Sequence, residues 1–108
     1  WTVDKLQRLI RAEVPPGCDR GAAESWFDRH GIRHFWFDDV TGDRRGGRTM
    51  PELAGLRSDQ LLGMLRGDIE GADADVDWLF PGRIGVYFFF DRQGRRVGEV
   101  VDPLVYMP

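Results

Sequence analysis

Three groups of side chains in this sequence could carry chemistry. In Asp73-Ala-Asp75-Val-Asp77 the carboxylates recur every second residue. In an extended strand that spacing lines them on one face about 7 Å apart, where they could attract a hard cation or a basic partner. As a calcium loop the stretch is incomplete, because Trp78 stands where the turn needs glycine and Ile84 where it needs the closing glutamate. Three strand carboxylates supply too few ligands for calcium on their own, and a charged, solvated strand face is the plainer reading. Cys18, the only cysteine, sits just before a helix start, where amides and the helix dipole would favour a thiolate. A thiol catalyst also needs a base. His30 lies at the far end of the same helix and His34 just beyond it, so neither makes an easy dyad. At a helix start a small residue can also stand in for a capping serine or threonine. Two histidines without a cysteine or carboxylate pattern do not form a zinc signature.

The third group is Arg44-Arg45-Gly46-Gly47-Arg48. Arginine and glycine in this mixture occur in segments that touch RNA, but a single copy also reads as a solvated loop that presents arginines to an acidic partner. A net charge of −3 argues against a dedicated nucleic-acid binder. No glycine-rich phosphate loop, serine-nucleophile elbow or metalloprotease helix motif is present.

These groups must be positioned by the elements around them, and the strongest of those is Ile84 to Val101. Val86-Tyr-Phe-Phe-Phe90 is too short for a stable helix and rich in the residue types that fit a pleated surface. Asp91-Arg-Gln-Gly94 turns the chain back, with Gly94 in a left-handed position and Asp91 opposite Arg95. Continuing that count pairs Phe90 with Arg96, Phe89 with Val97, Phe88 with Gly98 and Tyr87 with Glu99. One face then carries Ile84, Val86, Phe88, Phe90 and Val100; the other carries Tyr87, Phe89, Val97, Glu99 and Val101. Because both faces are apolar, the second must be covered by another segment or by a partner.

Upstream, Val3, Leu6, Leu9 and Ile10 predict an amphipathic helix over 2–12, stopped by Pro15-Pro16-Gly17. Ala22, Ala23, Trp26 and Phe27 predict a second helix ending at Gly31. Ile32 to Asp38 reads as the first strand. Residues 39–49 read as a mobile loop, and Thr49-Met50-Pro51-Glu52 fits a capping box that opens a helical turn. A further helix is expected from Ser58 through Leu61, Leu62 and Leu65 to Gly67, and a strand from Asp68 to Leu79. The length of 108 residues, with 42% hydrophobic and 31% charged residues, suits one folded domain. One cysteine excludes a disulfide-built scaffold, and no stretch approaches the roughly 18–20 apolar residues of a membrane span.

Pro16-Gly17-Cys18-x-x-x-Ala22-Ala23-Glu24-x-Trp26, followed by Val86-Tyr-Phe-Phe-Phe-Asp91-x-x-Gly94, resembles small uncharacterised bacterial proteins. More distantly it is similar to the SmpA/BamE outer-membrane assembly lipoproteins and to the β-lactamase-inhibitor-protein-like architecture. The resemblance implies two helices followed by an antiparallel meander, and a non-enzymatic domain that binds proteins, often in the cell envelope. It supplies no catalytic residues. Cys18 and the arginine-glycine insertion depart from that pattern.

The expected fold is therefore α+β, an antiparallel meander of three or four strands with two or more short helices on one face. The expected function is a bacterial protein-binding or scaffold domain without a cofactor, joining another protein or a second copy through the sheet. Its surface would be Tyr87, Phe89 and Val97, flanked by Arg44, Arg45 and Arg48. The rivals are a small metal-dependent or thiol-dependent enzyme using Asp73, Asp75 and Asp77 or Cys18, and an inhibitor or immunity-type protein. The compartment would be the envelope or periplasm if a signal precedes Trp1, and otherwise the cytoplasm.

Overall fold

Thr2 opens the first helix, α1 (Val3–Glu13), by accepting the Lys5 amide at 3.1 Å. The computed structural model describes residues 2–72 and 82–104. The second helix, α2 (Arg20–Arg29), is capped by Asp19, whose Oδ1 accepts the Ala22 amide at 2.8 Å. Cys18 therefore precedes the cap and does not form it. Gly31, with φ of 65°, stops the helix, and the chain enters strand β1 (Arg33–Phe37).

Between β1 and the next long strand lies a folded excursion. Gly46 and Gly47, both with positive φ, make a two-residue turn that pairs β2 (Arg44–Arg45) with β3 (Arg48–Thr49). Two adjacent glycines are a hairpin signal of this kind, so the stretch expected to be an irregular loop is a hairpin. Thr49 then caps α3 (Met50–Leu53) by accepting the Glu52 amide at 3.4 Å. Its hydroxyl donates to the Glu52 carboxylate at 3.1 Å, so Glu52 returns to the Thr49 side chain and not to the amide that the predicted capping box would use.

The helix expected from Ser58 to Gly67 is only a 3₁₀ turn over Ser58–Gln60, and β4 (Leu61–Ala72) follows at once. The physical reason lies in two glycines. A Cβ at Gly67 would meet Phe27 Cζ and Cδ1 at 2.7 and 2.8 Å, with Cε1 closer still. One at Gly63 would meet the Phe37 carbonyl oxygen at 2.7 Å and Trp36 Cε2 at 2.9 Å. Aromatic rings approach the strand closely where the glycines leave room. Strands β5 (Gly82–Asp91) and β6 (Arg96–Leu104) complete a four-stranded antiparallel sheet in the order β1-β4-β5-β6, a meander interrupted by the hairpin and α3. The fold is α+β, as the sequence predicts. Of the strand expected over Asp68 to Leu79, Asp68 to Ala72 belong to β4, and the remainder, with Asp73, Asp75 and Asp77, lies outside the described residues.

The β5–β6 turn forms as its sequence dictates. Gly94 has φ of 77°, the Asp91 amide donates to the Arg95 carbonyl at 2.9 Å, and Asp91 Oδ1 takes the amides of Gln93 and Arg95. Register then departs from the simple count. Phe90 pairs with Arg96, but Phe89 pairs with Gly98 and Phe88 with Glu99, which makes Val97 an extra, bulged residue. One inserted residue reverses the faces of everything beyond it. Val101 therefore packs with Phe88 and Phe90, Val100 packs with Tyr87 and Phe89, and the aromatic laid over Gly98 is Phe89.

The helices cover one face of the sheet, and the excursion covers the other over β4, β5 and β6. Beneath α1 and α2, Leu6, Ile10, Trp26 and Phe27 bury against Leu65, Val86, Phe88 and Phe90, each large side chain stabilising the fold by about 1.5–3 kcal/mol. On the opposite face Val40, Met50, Ala54 and Leu56 close over Leu61, Met64, Tyr87 and Phe89. Among the described residues no helix is long and apolar enough to cross a membrane.

Candidate functional site

The excursion is pinned to the sheet by a polar clamp. Asp43, just before β2, accepts from Arg66 Nη1 at 2.9 Å and from the Tyr87 hydroxyl at 3.0 Å. Arg66 also donates through Nε to Asp68 at 2.8 Å, and its guanidinium lies 5.5 Å from the Tyr87 ring centroid. Burial works against the Arg66 cation, yet the hydrogen bond to Asp68 and the charges of Asp68 and Asp43 outweigh it and hold the group above its ordinary pKa. Burial pushes the Tyr87 phenol well up, with Arg66 opposing and Asp43 adding to the rise, so Tyr87 is a neutral donor. Arg45 Nε reaches Asp102 on β6 at 2.7 Å, a second pin.

This clamp decides the fate of the expected contact surface. Tyr87 is 1% exposed and Phe89 is fully buried, both beneath the chain's own excursion. The second face is core, and neither side chain is open to a partner. Val97, carried outward by the bulge, is 43% exposed. Of the three arginines, Arg45 is paired with Asp102, Arg44 donates to the Gly47 carbonyl at 3.3 Å, and Arg48 donates to the Glu52 carbonyl at 3.1 Å. Arg44 and Arg48 lie at the exposed tip of the hairpin, and these two bonds stay within the excursion.

Cys18 is half-buried on the α1–α2 loop. Burial raises its thiol pKa, and the nearby Arg96 only partly offsets this, so the thiol is not held as a thiolate. His30 lies 3.3 Å from Glu13 and 4.9 Å from the Trp26 ring centroid. His34 bonds Asp28 at 2.9 Å and stacks on Phe27 at 5.5 Å. Both rings are occupied in tying α1, α2 and β1 together. Among the described residues no three His, Cys, Asp or Glu side chains converge as a metal site.

The two sheet edges differ. Along β6 the outer edge is met by the α1–α2 loop: the Gly17 amide donates to the Arg96 carbonyl at 2.9 Å and the Arg96 amide to the Cys18 carbonyl at 2.8 Å. Buried Arg96 fixes this junction through Val14 O at 2.8 Å and Glu99 at 2.6 Å. Pro103 further along β6 has no amide to offer. Along β1 the inner edge pairs with β4, and among the described residues no backbone hydrogen bond to any other segment is made by 33–37. Two large apolar side chains stand on this strand, Phe35 at 46% and Phe37 at 39% exposure, on the face away from α2. At the strand's start Arg33 lies 5.8 Å from the Phe35 ring centroid and makes no ion pair among the described residues. A shallow depression of about 390 Å³, lined by Gly31, Arg33, Phe35, Asp68 and Arg83, adjoins it.

The sequence places this strand but not its exposed side, since a run of aromatics does not by itself say which face the rest of the chain covers. Alternation along Arg33-His-Phe-Trp-Phe37 was the available signal: Trp36 and His34 face α2, which leaves the phenylalanines on the other side. In comparisons with known proteins, no family model, curated protein or solved structure matches the chain.

Proposed function

We propose that this chain is a non-enzymatic protein-binding domain whose contact surface is the open edge of β1, read through Phe35 and Phe37. One observation carries the reading. The second sheet face is roofed over β4, β5 and β6, and the β6 edge is held at Arg96 by the α1–α2 loop, while β1 presents an unpaired backbone edge beside two exposed phenylalanines. Such an edge invites strand addition, in which main-chain bonds give affinity and alternate side chains give specificity. The resemblance to small uncharacterised bacterial proteins, and more distantly to the SmpA/BamE lipoproteins and the β-lactamase-inhibitor-protein-like architecture, supports the same reading of a protein-binding role, often in the cell envelope.

A photo-reactive benzoylphenylalanine in place of Phe35, with the same probe at Val97 as a comparison, tests this in living bacterial cells. A discrete protein adduct formed from position 35 and absent from position 97 is expected. Equal labelling from both positions, or none from 35, removes the β1 edge as a contact surface.

A further inference from the structure

We infer that the segment seated on the β1 edge is the β1 strand of a second copy of this chain, paired antiparallel about Trp36. This rests on the binding reading above and names its partner. An antiparallel self-pairing requires a strand complementary to its own reverse, with equivalent faces side by side. Residues 33–39, Arg-His-Phe-Trp-Phe-Asp-Asp, meet that requirement. Counting outward from Trp36 pairs Phe35 with Phe37 of the other copy, His34 with its Asp38, and Arg33 with its Asp39. Phe35 and Phe37 project away from α2, while His34 and Trp36 face it; Asp38 and Asp39 form the step just past the strand's end at Phe37, where Asp38 Oδ1 accepts the Trp36 indole at 2.7 Å, and the outer pairs extend the ladder onto that step.

Charge separation along the strand is what singles out a second copy from another apolar strand. The cationic end is Arg33, without an ion partner among the described residues. The anionic end is the exposed Asp38-Asp39 step, where Thr41 holds the Asp39 carboxylate through its amide at 2.9 Å and its hydroxyl at 2.6 Å. A two-fold axis through Trp36 brings each cationic end to the other copy's anionic end, at two places by symmetry. A parallel approach or a one-residue slip loses these matches or puts phenylalanines opposite the α2-facing side chains. The joined sheet would have eight strands, and both outer edges would be β6, each met at Arg96 by its own α1–α2 loop. With one five-residue strand per copy, the interface falls below the standard size of roughly 1,600 Å², so the dimer forms in the micromolar range.

Sedimentation equilibrium on the 108-residue chain, on Arg33→Asp, on Asp39→Arg and on their equimolar mixture is the test. Both positions are exposed, and circular dichroism checks that each variant folds. The wild type is expected to dimerise reversibly and each single variant to dimerise at least about tenfold more weakly, since like charges then meet at both ends. The mixture should recover a heterodimer within about threefold of wild-type affinity, because one copy is then acidic and the other basic at its strand ends. Phe35→Lys should abolish association without restoring it in any mixture. A wild type that stays monomeric to about 1 mM, a dimer indifferent to all three substitutions, or a mixture that does not recover overturns the self-pairing. A monomer whose position-35 probe still captures a different protein overturns it while leaving the binding reading intact; absence of any adduct removes both.

Discussion

Replacing Gly67 with alanine adds one carbon at the point where α2 rests on the sheet, and the structure says what that carbon meets. It would stand 2.7 and 2.8 Å from Cζ and Cδ1 of Phe27, well inside van der Waals contact near 3.5–4.0 Å. The ring cannot swing away freely, because Trp26, Phe88 and His34 surround it at centroid distances of 5.4, 5.3 and 5.5 Å, and it has no exposed surface. Overpacking of this kind costs about 1–3 kcal/mol, and a fully enclosed ring puts Gly67→Ala at the upper end. Alanine recovers about 0.5–1 kcal/mol through its lower backbone entropy. A net loss of about 2 kcal/mol is expected, or roughly 10 °C in Tm for a domain of this size. Urea denaturation of Gly67→Ala, Phe27→Leu and the double variant measures it. The smaller, flexible leucine makes space for the new methyl, so the double variant should be more stable than additivity predicts by about 1 kcal/mol. A neutral Gly67→Ala, or strictly additive effects, would refute the account of why β4 carries glycine there.

Four further outcomes follow from the clamp and the thiol. Asp43→Ala strands the Tyr87 hydroxyl and Arg66 Nη1, and should cost about 2 kcal/mol in urea denaturation with faster amide exchange across 44–50. Arg45→Ala, at an exposed pair, should cost under about 1 kcal/mol. Because burial raises the folded Tyr87 pKa above its unfolded value, the unfolded chain loses that proton first as pH rises. Its contribution is complete below about pH 10 and falls above it by up to about 1.4 kcal/mol per pH unit; in Tyr87→Phe that part of the alkaline slope should vanish, and an unchanged slope assigns it elsewhere. Iodoacetamide should alkylate Cys18 with a midpoint above the ordinary thiol range in the folded protein and at the ordinary value in urea. A folded midpoint below the urea value would mean an activated thiol.

What could be read from the sequence was what neighbours along the chain decide. Gly31, Thr49 and Gly94 stop, cap and turn as their types dictate, because a cap or a tight turn is settled within four or five residues, although the second helix is capped by Asp19 and not by Cys18. β4 was missed over 61–67 because Leu61, Leu62 and Leu65 carry a helical spacing. The reason for strand lies in Trp36 and Phe27, far away in sequence, whose rings occupy the space above Gly63 and Gly67. The hairpin at Gly46-Gly47 was legible, but a run of arginines with no apolar period concealed it. Of the candidate site, the strand Arg33–Phe37 was found and its exposed side was not, since exposure depends on where the excursion from Val40 to Leu56 comes to rest.

The bulge at Val97 links these facts to the proposed role. Had β6 run in the unbroken register, Val97 would oppose Phe89 and Val100 would point toward the helices. The inserted residue instead puts Gly98 beneath the second-face layer, where an added Cβ would meet Leu56 Cδ1 at 2.9 Å and Ala54 Cβ at 3.8 Å. Leu56 can settle onto the sheet only because glycine is there, and with Leu56 and Ala54 in place the excursion seals Tyr87 and Phe89. The same excursion carries Asp43 and Arg45 to their partners on β4, β5 and β6, none of which is on β1. The roof is thus fastened to three strands of the sheet and leaves the fourth uncovered. Phe35 and Phe37 are exposed because the roof stops short of them, and that places the open edge at β1, where the self-complementary strand lies.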